Sequence, residues 1–319
     1  MKKLICVLTL ALALAPSLQA KTDNDKAESI IKQYLKTPHP EDDTQGELRE
    51  VRLEILGRLK IMPEAAVSTI ARILPELTNQ QQRCELAETL GRRFQTAESA
   101  KVLCALLKDK DKQVRGQAIH GLRLMSRRTD RIGARRIIRQ RSLASKVDRE
   151  KAIRAGHTGQ IPPLQKPVFT PKVGGLVPYL ILAAGDESEK NRISALYALA
   201  DTREPAAVTE IRNRLSDKSE RVRLFAACFL TEYQDASGLP ELRKALERLQ
   251  KTSETENFNY YREASMLLAS LERLLGKSFG PIPINPHFLS DSRRVEPTKQ
   301  RCRELIDAWS RWWSWQPAK

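Results

Sequence analysis

Apolar residues recur along this chain at the spacing of an α-helix, and each run follows an arginine. Small or apolar side chains mostly stand three and seven residues after the arginine, which places them on one helix face. The six arginines are Arg52, Arg83, Arg115, Arg192, Arg223 and Arg262. The residues seven positions later are Leu59, Leu90, Leu122, Leu199, Leu230 and Ala269. Successive arginines are separated by 31, 32, 77, 31 and 39 residues, so the pattern predicts a repeated helix.

A second apolar helix is predicted upstream of four of these arginines. Its marker, twelve residues before the arginine, is Ala71, Leu103, Leu180 or Ile211. A short polar turn follows, and in three units it holds an aspartate six residues before the arginine: Asp109, Asp186 and Asp217. We expect these carboxylates to cap the free amides of the second helix. The predicted unit is therefore helix, turn, helix.

The repeated segments resemble a known family, the HEAT-like repeats of phycobilin lyases and of many bacterial interaction proteins. Residues 103–122 and 206–230 carry the resemblance most clearly, and residues 192–200 form a third copy. The resemblance covers roughly residues 45–275 and implies an all-α fold, an α-solenoid in which each unit contacts its neighbours. It also implies that the aspartates and arginines bridge adjacent units as a structural ladder. The ladder residues are Asp109, Arg115, Asp186, Arg192, Asp217 and Arg223.

Composition agrees with a helical fold and excludes a β-sandwich or barrel. Aromatic residues make up 5% of the chain and there are only 14 glycines, so strand formers and turn residues are both scarce. The formal net charge of +16 favours an anionic partner without bearing on the fold.

Residues 1–20 have the layout of a secretory signal peptide: Lys2 and Lys3, then an apolar stretch, then small residues ending at Ala20. The stretch is too short to cross a bilayer. We therefore expect export to the periplasm or cell envelope of a bacterium and no transmembrane segment after cleavage. N-terminal HEAT-like repeats are predicted over residues 21–126.

A basic insertion, predicted to be a helical segment followed by a Pro/Gly-rich loop, interrupts the repeats over residues 127–175. C-terminal HEAT-like repeats are predicted over residues 176–280. Residues 123–154 contain 12 Lys and Arg against 3 acidic residues. The candidate residues for binding an anionic partner are Arg127, Arg128, Arg131, Arg135, Arg136 and Arg139. The stretch is either a solvated basic face or a docking surface for an acidic protein or an envelope polymer, and nucleic acid is not expected. Residues 156–175 are rich in Pro and Gly and predict a loop that separates two repeat stacks.

The last segment, residues 281–319, is predicted to be a linker and a Trp-rich helix that caps the open end of the stack. Its tryptophans are Trp309, Trp312, Trp313 and Trp315. Aromatic stacking on a glycan or an embedded partner is the alternative. The tail also resembles those of exported HEAT-repeat proteins of environmental bacteria.

Candidate chemistry is sparse. The four histidines are scattered, the cysteines lack metal-ligand spacing, and no nucleophile elbow or phosphate loop occurs, so the sequence predicts no catalytic residue, metal or cofactor. Cys84 and Cys104 are either buried small hydrophobic residues or a disulfide. The predicted function is a non-catalytic protein-protein interaction scaffold, with a monomeric chain and an unknown, possibly acidic, protein partner. An electrostatic adaptor acting through residues 123–154 is the alternative, and a lyase-like enzyme is the third.

Overall fold

The computed structural model describes residues 22–38, 47–126, 173–252, 258–282 and 295–314, and these ranges are helical with short turns. The α-helices are α1 (22–36), α2 (Glu47–Gly57), α3 (Pro63–Ile73), α4 (Gln80–Thr89), α5 (Ala97–Leu106), α6 (Lys112–Ser126), α7 (Val177–Ala184), α8 (Glu189–Thr202), α9 (Pro205–Asn213), α10 (Glu220–Leu230), α11 (Leu239–Lys251), α12 (Phe258–Leu275) and α13 (Val295–Ser314). Short 3₁₀ turns cover Arg58–Ile61, Leu74–Glu76, Arg214–Ser216, Thr231–Tyr233 and Ala236–Gly238, and Leu90–Phe94 is a π-helical turn.

Helices α1 to α12 form six pairs, and each pair contains one of the repeated arginines on its second helix. Local sequence explains where several of them begin. Pro63 and Pro205 open α3 and α9, where a missing amide proton costs nothing. The Asn79 side chain caps α4, and Thr96 forms a capping box with Ser99 at the start of α5. The predicted all-α solenoid of paired helices is confirmed.

The core runs between the two helices of each pair and between neighbouring pairs. Leu90, Leu122, Leu199 and Leu230, predicted from the repeat register, are all fully buried. Each buried leucine contributes roughly 1.5–3 kcal/mol relative to an exposed one. One hydrophobic cluster extends from α1 to α10, and a second extends from α10 to α13. Because α10 contributes to both clusters, the apolar core is continuous.

The pairs on either side of the basic insertion are direct neighbours. Arg115 of α6 binds Asp186 at 2.6 Å, and the amide of Asn191 in α8 donates to the carbonyl oxygen of Lys112 at 3.0 Å. At the far end of the same helices, Arg123 pairs with Asp201. The predicted separation into two repeat stacks is therefore wrong for the helices that the structure describes. The 77-residue spacing between Arg115 and Arg192 therefore separates two helix pairs that are in direct contact.

Helix α13 covers the end of the stack. Trp309 is buried in the second hydrophobic cluster, where its ring packs edge-on against Phe279 at 5.1 Å between centroids. Trp312 and Trp313 are half-buried beside it, so the capping position predicted for this helix is confirmed. Among the helices of the described ranges, none has both the length and the apolar character needed to cross a bilayer.

Candidate functional site

The repeated arginines connect consecutive helix pairs through a ladder of ion pairs. Arg192 binds Asp217 of the next pair with two hydrogen bonds of 2.9 Å. Its remaining guanidinium nitrogen donates to the carbonyl oxygens of Asp186 and Glu187 in its own turn, at 3.0 and 2.9 Å. Arg115 makes the equivalent contacts with Asp186 and with its own turn. Each arginine thus joins its own turn to the turn of the following pair.

The turn aspartates do not cap helices as the sequence analysis expected. Asp109, Asp186 and Asp217 each accept a hydrogen bond from the backbone amide two residues later, which still belongs to the turn. The amides of the helix itself are capped by other residues, Asp111 for α6 and Ser219 for α10. Each aspartate carboxylate therefore makes two kinds of contact. It accepts a hydrogen bond that fixes its own turn, and it faces the arginine of the preceding pair.

The ladder continues at both ends with glutamates in place of aspartate. Arg223 pairs with Glu241 of α11 at 2.9 Å. Arg52, which is fully buried, binds Glu85 of α4, and the Tyr34 hydroxyl of α1 donates to the same carboxylate at 3.2 Å. The register places Leu77 where the other turns hold aspartate, so a residue on the second helix replaces it. That these ion pairs stabilise the stack stays a prediction.

Two of the ladder carboxylates, Asp186 and Glu241, have a lowered pKa. Burial alone would raise the pKa of the Asp186 carboxyl, but hydrogen bonds from Arg115, the Ser188 amide and Asn191 outweigh it and hold the pKa below its ordinary value. Glu241 also has a lowered pKa, because burial is outweighed by hydrogen bonds from Lys244 and Arg223. A carboxyl group whose pKa is lower in the folded state than in the unfolded state stabilises the fold at pH values above its unfolded-state pKa. This stabilisation is lost as the pH falls through the folded-state pKa.

We therefore expect acid to weaken the stack below about pH 4, where the unfolded-state carboxylates begin to take up protons. The melting temperature followed by circular dichroism should fall progressively as the pH is lowered below about 4. Asp186→Asn should be less stable than the wild type at neutral pH and should lose less on acidification. An equal acid-induced fall in both proteins would contradict this assignment.

A polar groove of about 850 Å³ crosses the surface formed by α2, α4, α6, α8, α10 and α12, which we call the second-helix face. The second helices of four consecutive pairs, α2, α4, α6 and α8, contribute its lining together with the π-helical turn that follows α4. The cationic lining residues are Arg49, Arg92, Lys112 and Lys190. Glu88, the acidic residue of the lining, is bound by Arg49 at 3.0 Å and by Arg92 at 2.8 Å. The groove therefore has surplus positive charge.

Two lysines supply two of the three surplus positive charges. Lys112 and Lys190 are exposed, and neither forms an ion pair with any residue that the structure describes. Between them, Asn191 approaches α6 so closely that a Cβ at Gly116 would lie 2.8 Å from its side-chain oxygen. The sequence analysis did not identify these lysines. The missed signal was a cation two or three residues before the repeated arginine, at Arg49, Lys112, Lys190 and Arg221.

Further along the second-helix face, two arginines stack on one tyrosine. The guanidinium carbon of Arg123 lies 4.2 Å from the centre of the Tyr197 ring, and that of Arg262 lies 5.3 Å from it. Phe229 and Phe225 pack edge-on against the same ring, with centroids 4.7 and 5.7 Å away. These contacts join α6, α8, α10 and α12 at one point.

The basic residues that the sequence analysis predicted to bind an anionic partner belong to the insertion between α6 and α7. Residues Arg127, Arg128, Arg131, Arg135, Arg136 and Arg139 lie outside the described residues, so their role stays a prediction. The described chain ends at Ser126 of α6 and resumes at Val173, before α7. Arg123, from the same basic stretch, is the one that the structure describes, and it lies in the tyrosine cluster.

Cys84 and Cys104 form no disulfide bridge with each other in the structure. Burial raises the pKa of the Cys104 thiol to about 12 and is also the main cause that raises the pKa of Cys84 to about 11. Such thiols are largely protonated at neutral pH and react slowly. Within the described ranges, no group of His, Cys, Asp and Glu side chains is arranged to hold a metal ion.

The paired helices and the arginine ladder define an α-solenoid. Residues 177–264 match the family model of the HEAT repeats, so this chain carries HEAT repeats in the part that begins with α7. The pairs before α7 continue the same stack with the same arginine register. The comparison with curated proteins found no match.

Solved structures of other repeat proteins are similar over much of their length. A designed armadillo repeat protein in complex with the peptide (KR)4 is 17% identical, with 77% of this chain and 98% of that chain covered and a TM-score of 0.40. The complex of CpcE and CpcF of phycocyanin lyase from Nostoc sp. PCC7120 is 16% identical, with 87% and 93% covered and a TM-score of 0.27. Human deoxyhypusine hydroxylase is 19% identical, with 92% and 99% covered and a TM-score of 0.27. These scores are too low to carry any inference about activity or partners.

Proposed function

We propose that this chain is a non-catalytic protein-protein interaction scaffold whose second-helix face binds an acidic segment of another protein. The observation that carries the proposal is the groove of about 850 Å³ with its two lysines, Lys112 and Lys190, which have no ion-pair partner among the described residues. HEAT repeats suggest a protein-interaction scaffold, since stacked repeats expose long surfaces to a partner. Because the groove is positively charged, we expect the bound segment of the partner to be acidic.

The geometry supports this proposal because the groove lies on helices that are fixed to each other. Lys112 and Lys190 stand near the starts of α6 and α8, and those helices are fixed to each other by the Arg115–Asp186 ion pair and by Asn191. The two cations are thus held on neighbouring helices before a partner arrives, which reduces the ordering cost of binding. Opposite charge on the partner would raise the association rate and the specificity.

The cellular location in this proposal is the periplasm or cell envelope. It rests on the signal-peptide layout of residues 1–20 in the sequence. Analysis of the mature N-terminus by mass spectrometry would test it. A mature chain that retains residues 1–20 and is found in the cytoplasm would contradict it.

The double charge reversal Lys112→Glu/Lys190→Glu tests the scaffold directly. We expect it to reduce the amount of partner captured from an envelope fraction about tenfold or more, which corresponds to at least about 1.4 kcal/mol of binding free energy. The measurement is quantitative mass spectrometry of the captured proteins. Capture by the wild type should also weaken as salt is added, because the contacts are ionic.

The matched control is Lys108→Glu/Lys218→Glu. Both lysines are exposed in turns between helices, outside the groove, and their reversal changes the net charge by the same amount. The control should capture the partner as the wild type does. Equal loss in both variants would mean that only net charge matters, and no loss in the groove variant would exclude the groove as the binding site.

An electrostatic adaptor acting through residues 123–154 is the second candidate, and the concentration of charge in that stretch favours it. It predicts binding to an anionic envelope polymer rather than to a defined protein. Neutralising Arg127, Arg131, Arg135 and Arg139 should then shift elution from heparin to lower salt. The variant reversed at Lys112 and Lys190 would shift less, since the groove lies outside that stretch.

A further inference from the structure

Arg262 is a half-buried cation whose charge has no carboxylate partner among the described residues. It lies on α12 and donates one hydrogen bond, of 3.0 Å, to the hydroxyl oxygen of Tyr197. Its guanidinium carbon also lies 5.3 Å from the Tyr197 ring centre and 5.5 Å from that of Phe225. A guanidinium carries five N–H donors, so this contact leaves most of its hydrogen-bonding capacity for a ligand.

Two other half-buried arginines on the second helices do have carboxylate partners. Arg221 of α10 is bound by Glu189 and Glu263, both at 2.7 Å. Arg223, on the same helix, is paired with Glu241. A partly buried charge without a counterion loses hydration without regaining it in an ion pair. Aromatic rings compensate only part of this cost.

The surroundings of Arg262 add positive charge rather than neutralise it. Arg123 approaches the same tyrosine ring, at 4.2 Å from its centre, and is paired with Asp201 at 3.4 Å. In the described part of the chain, two guanidinium groups therefore lie at the Tyr197 ring, and one carboxylate, that of Asp201, pairs with one of them. The excess of one positive charge at this point matches one carboxylate from outside the chain.

Tyr197 holds Arg262 in position. The hydroxyl of Tyr197 accepts the hydrogen bond from Arg262 and donates to the sulfur atom of Met266 at 3.0 Å. Its ring is packed edge-on by Phe229 and Phe225, which are both buried. A side chain fixed in this way presents a planar donor group with little further loss of conformational freedom.

We infer that Arg262, positioned by Tyr197, is an anchor for the carboxylate of an aspartate or glutamate in the acidic segment bound along the second-helix face. This inference rests on the proposed function and names a contact within it. The planar guanidinium fits a carboxylate through two parallel hydrogen bonds, a geometry that a lysine cannot offer. The anchor lies on α12, whereas the groove lysines lie on α6 and α8, so one extended segment would cross several helix pairs.

The test is the binding of a fluorescein-labelled peptide of alternating glutamate and glycine to the full chain, followed by fluorescence anisotropy. Arg262→Gln should weaken binding about tenfold, because it removes one charge-assisted contact. The affinity of Arg262→Lys should fall between those of Arg262→Gln and the wild type, since lysine keeps the charge and loses the planar fork. Arg243→Gln is the matched control, because Arg243 is an exposed arginine of α11 that pairs with Glu247.

Each outcome decides the inference. Unchanged binding in Arg262→Gln, with loss in Lys112→Glu/Lys190→Glu, would overturn the anchor and leave the scaffold proposal in place. Equal weakening in Arg243→Gln would also overturn it, as would a wild-type chain that binds a single-stranded oligonucleotide but not the peptide. Circular dichroism spectra and melting curves of the variants would verify folding. Tyr197→Phe, which keeps the ring, should weaken the binding of the peptide less than Arg262→Gln does.

Discussion

Replacing Arg52 with alanine is expected to destabilise the N-terminal helix pairs by about 3–5 kcal/mol, the usual cost of removing one partner from a buried ion pair. Arg52 is fully buried and donates to both carboxylate oxygens of Glu85 and to the carbonyl oxygen of Pro38. Without it, the buried carboxylate of Glu85 would lose the guanidinium that binds both of its oxygens and would keep the hydrogen bonds from the Tyr34 hydroxyl and the Gln81 amide. Thermal melting by circular dichroism and hydrogen exchange of helices α1 to α4 would measure the loss.

The control for this change is Arg58→Ala. Arg58 is exposed and donates to the side chain of Gln33, so its removal should alter stability by no more than about 0.5 kcal/mol. The double change Arg52→Leu/Glu85→Leu should be less destabilising than Arg52→Ala, since no charge is left buried. Equal melting temperatures for Arg52→Ala and Arg58→Ala would contradict the role given to the buried network.

Arg192→Ala is the second large effect that we expect, again about 3–5 kcal/mol. The side chains of Arg192 and Asp217 are only 5% and 4% exposed, and Arg192 also binds two carbonyl oxygens of its own turn. Its loss would remove the ion pair that joins the α7–α8 pair to the α9–α10 pair and leave Asp217 without this partner. Because repeat proteins unfold unit by unit, chemical denaturation should become broader and begin at this junction.

Arg223→Ala is the matched comparison within the same ladder. Its ion pair with Glu241 is more exposed, with side chains 22% and 16% accessible, so water already screens it and the loss should be smaller. Asp217→Ala should behave like Arg192→Ala, since both remove one side of the same contact. Unchanged melting temperatures in both Arg223→Ala and Asp217→Ala would contradict a stabilising ladder.

The helix pairs could be predicted because their signal is local. Arginine, a small residue three positions later and leucine seven positions later define one buried helix face without any long-range information. The register located the turn aspartates that bind Arg115 and Arg192, but from it we expected helix capping, and only the family resemblance implied a ladder between units. Periodicity was therefore sufficient for most of the stack and for the capping helix α13.

The direct contact between α6 and α8 could not be derived from periodicity. A spacing of 77 residues is compatible with an additional irregular unit, and composition alone does not tell which residues leave the stack. The structure resolves this through the Arg115–Asp186 pair, whose members are 71 residues apart in the chain. The role of Glu85 was missed for a similar reason, because it replaces a turn aspartate from a helical position.

The functional surface was harder to foresee than the fold. The density of basic residues in the sequence led us to predict the anionic-partner site within residues 123–154. The described cations of the groove are instead single lysines and arginines on separate helices. Only stacking brings Lys112 beside Lys190, and only the packing of α12 near α8 brings Arg262 to Tyr197. Such clusters form only when helices that are distant in the sequence pack together, so the sequence alone indicates them weakly.

Site-specific photo-crosslinking tests the central claim, binding through the second-helix face, most directly. The photoreactive residue p-benzoylphenylalanine would replace Gln113, which is exposed in the groove, or Leu182, which is 53% exposed on α7 outside it. After irradiation with an envelope fraction, the account predicts a discrete crosslinked partner at position 113, absent at position 182 and lost in Lys112→Glu/Lys190→Glu. A partner crosslinked at position 182 and not at position 113 would contradict it.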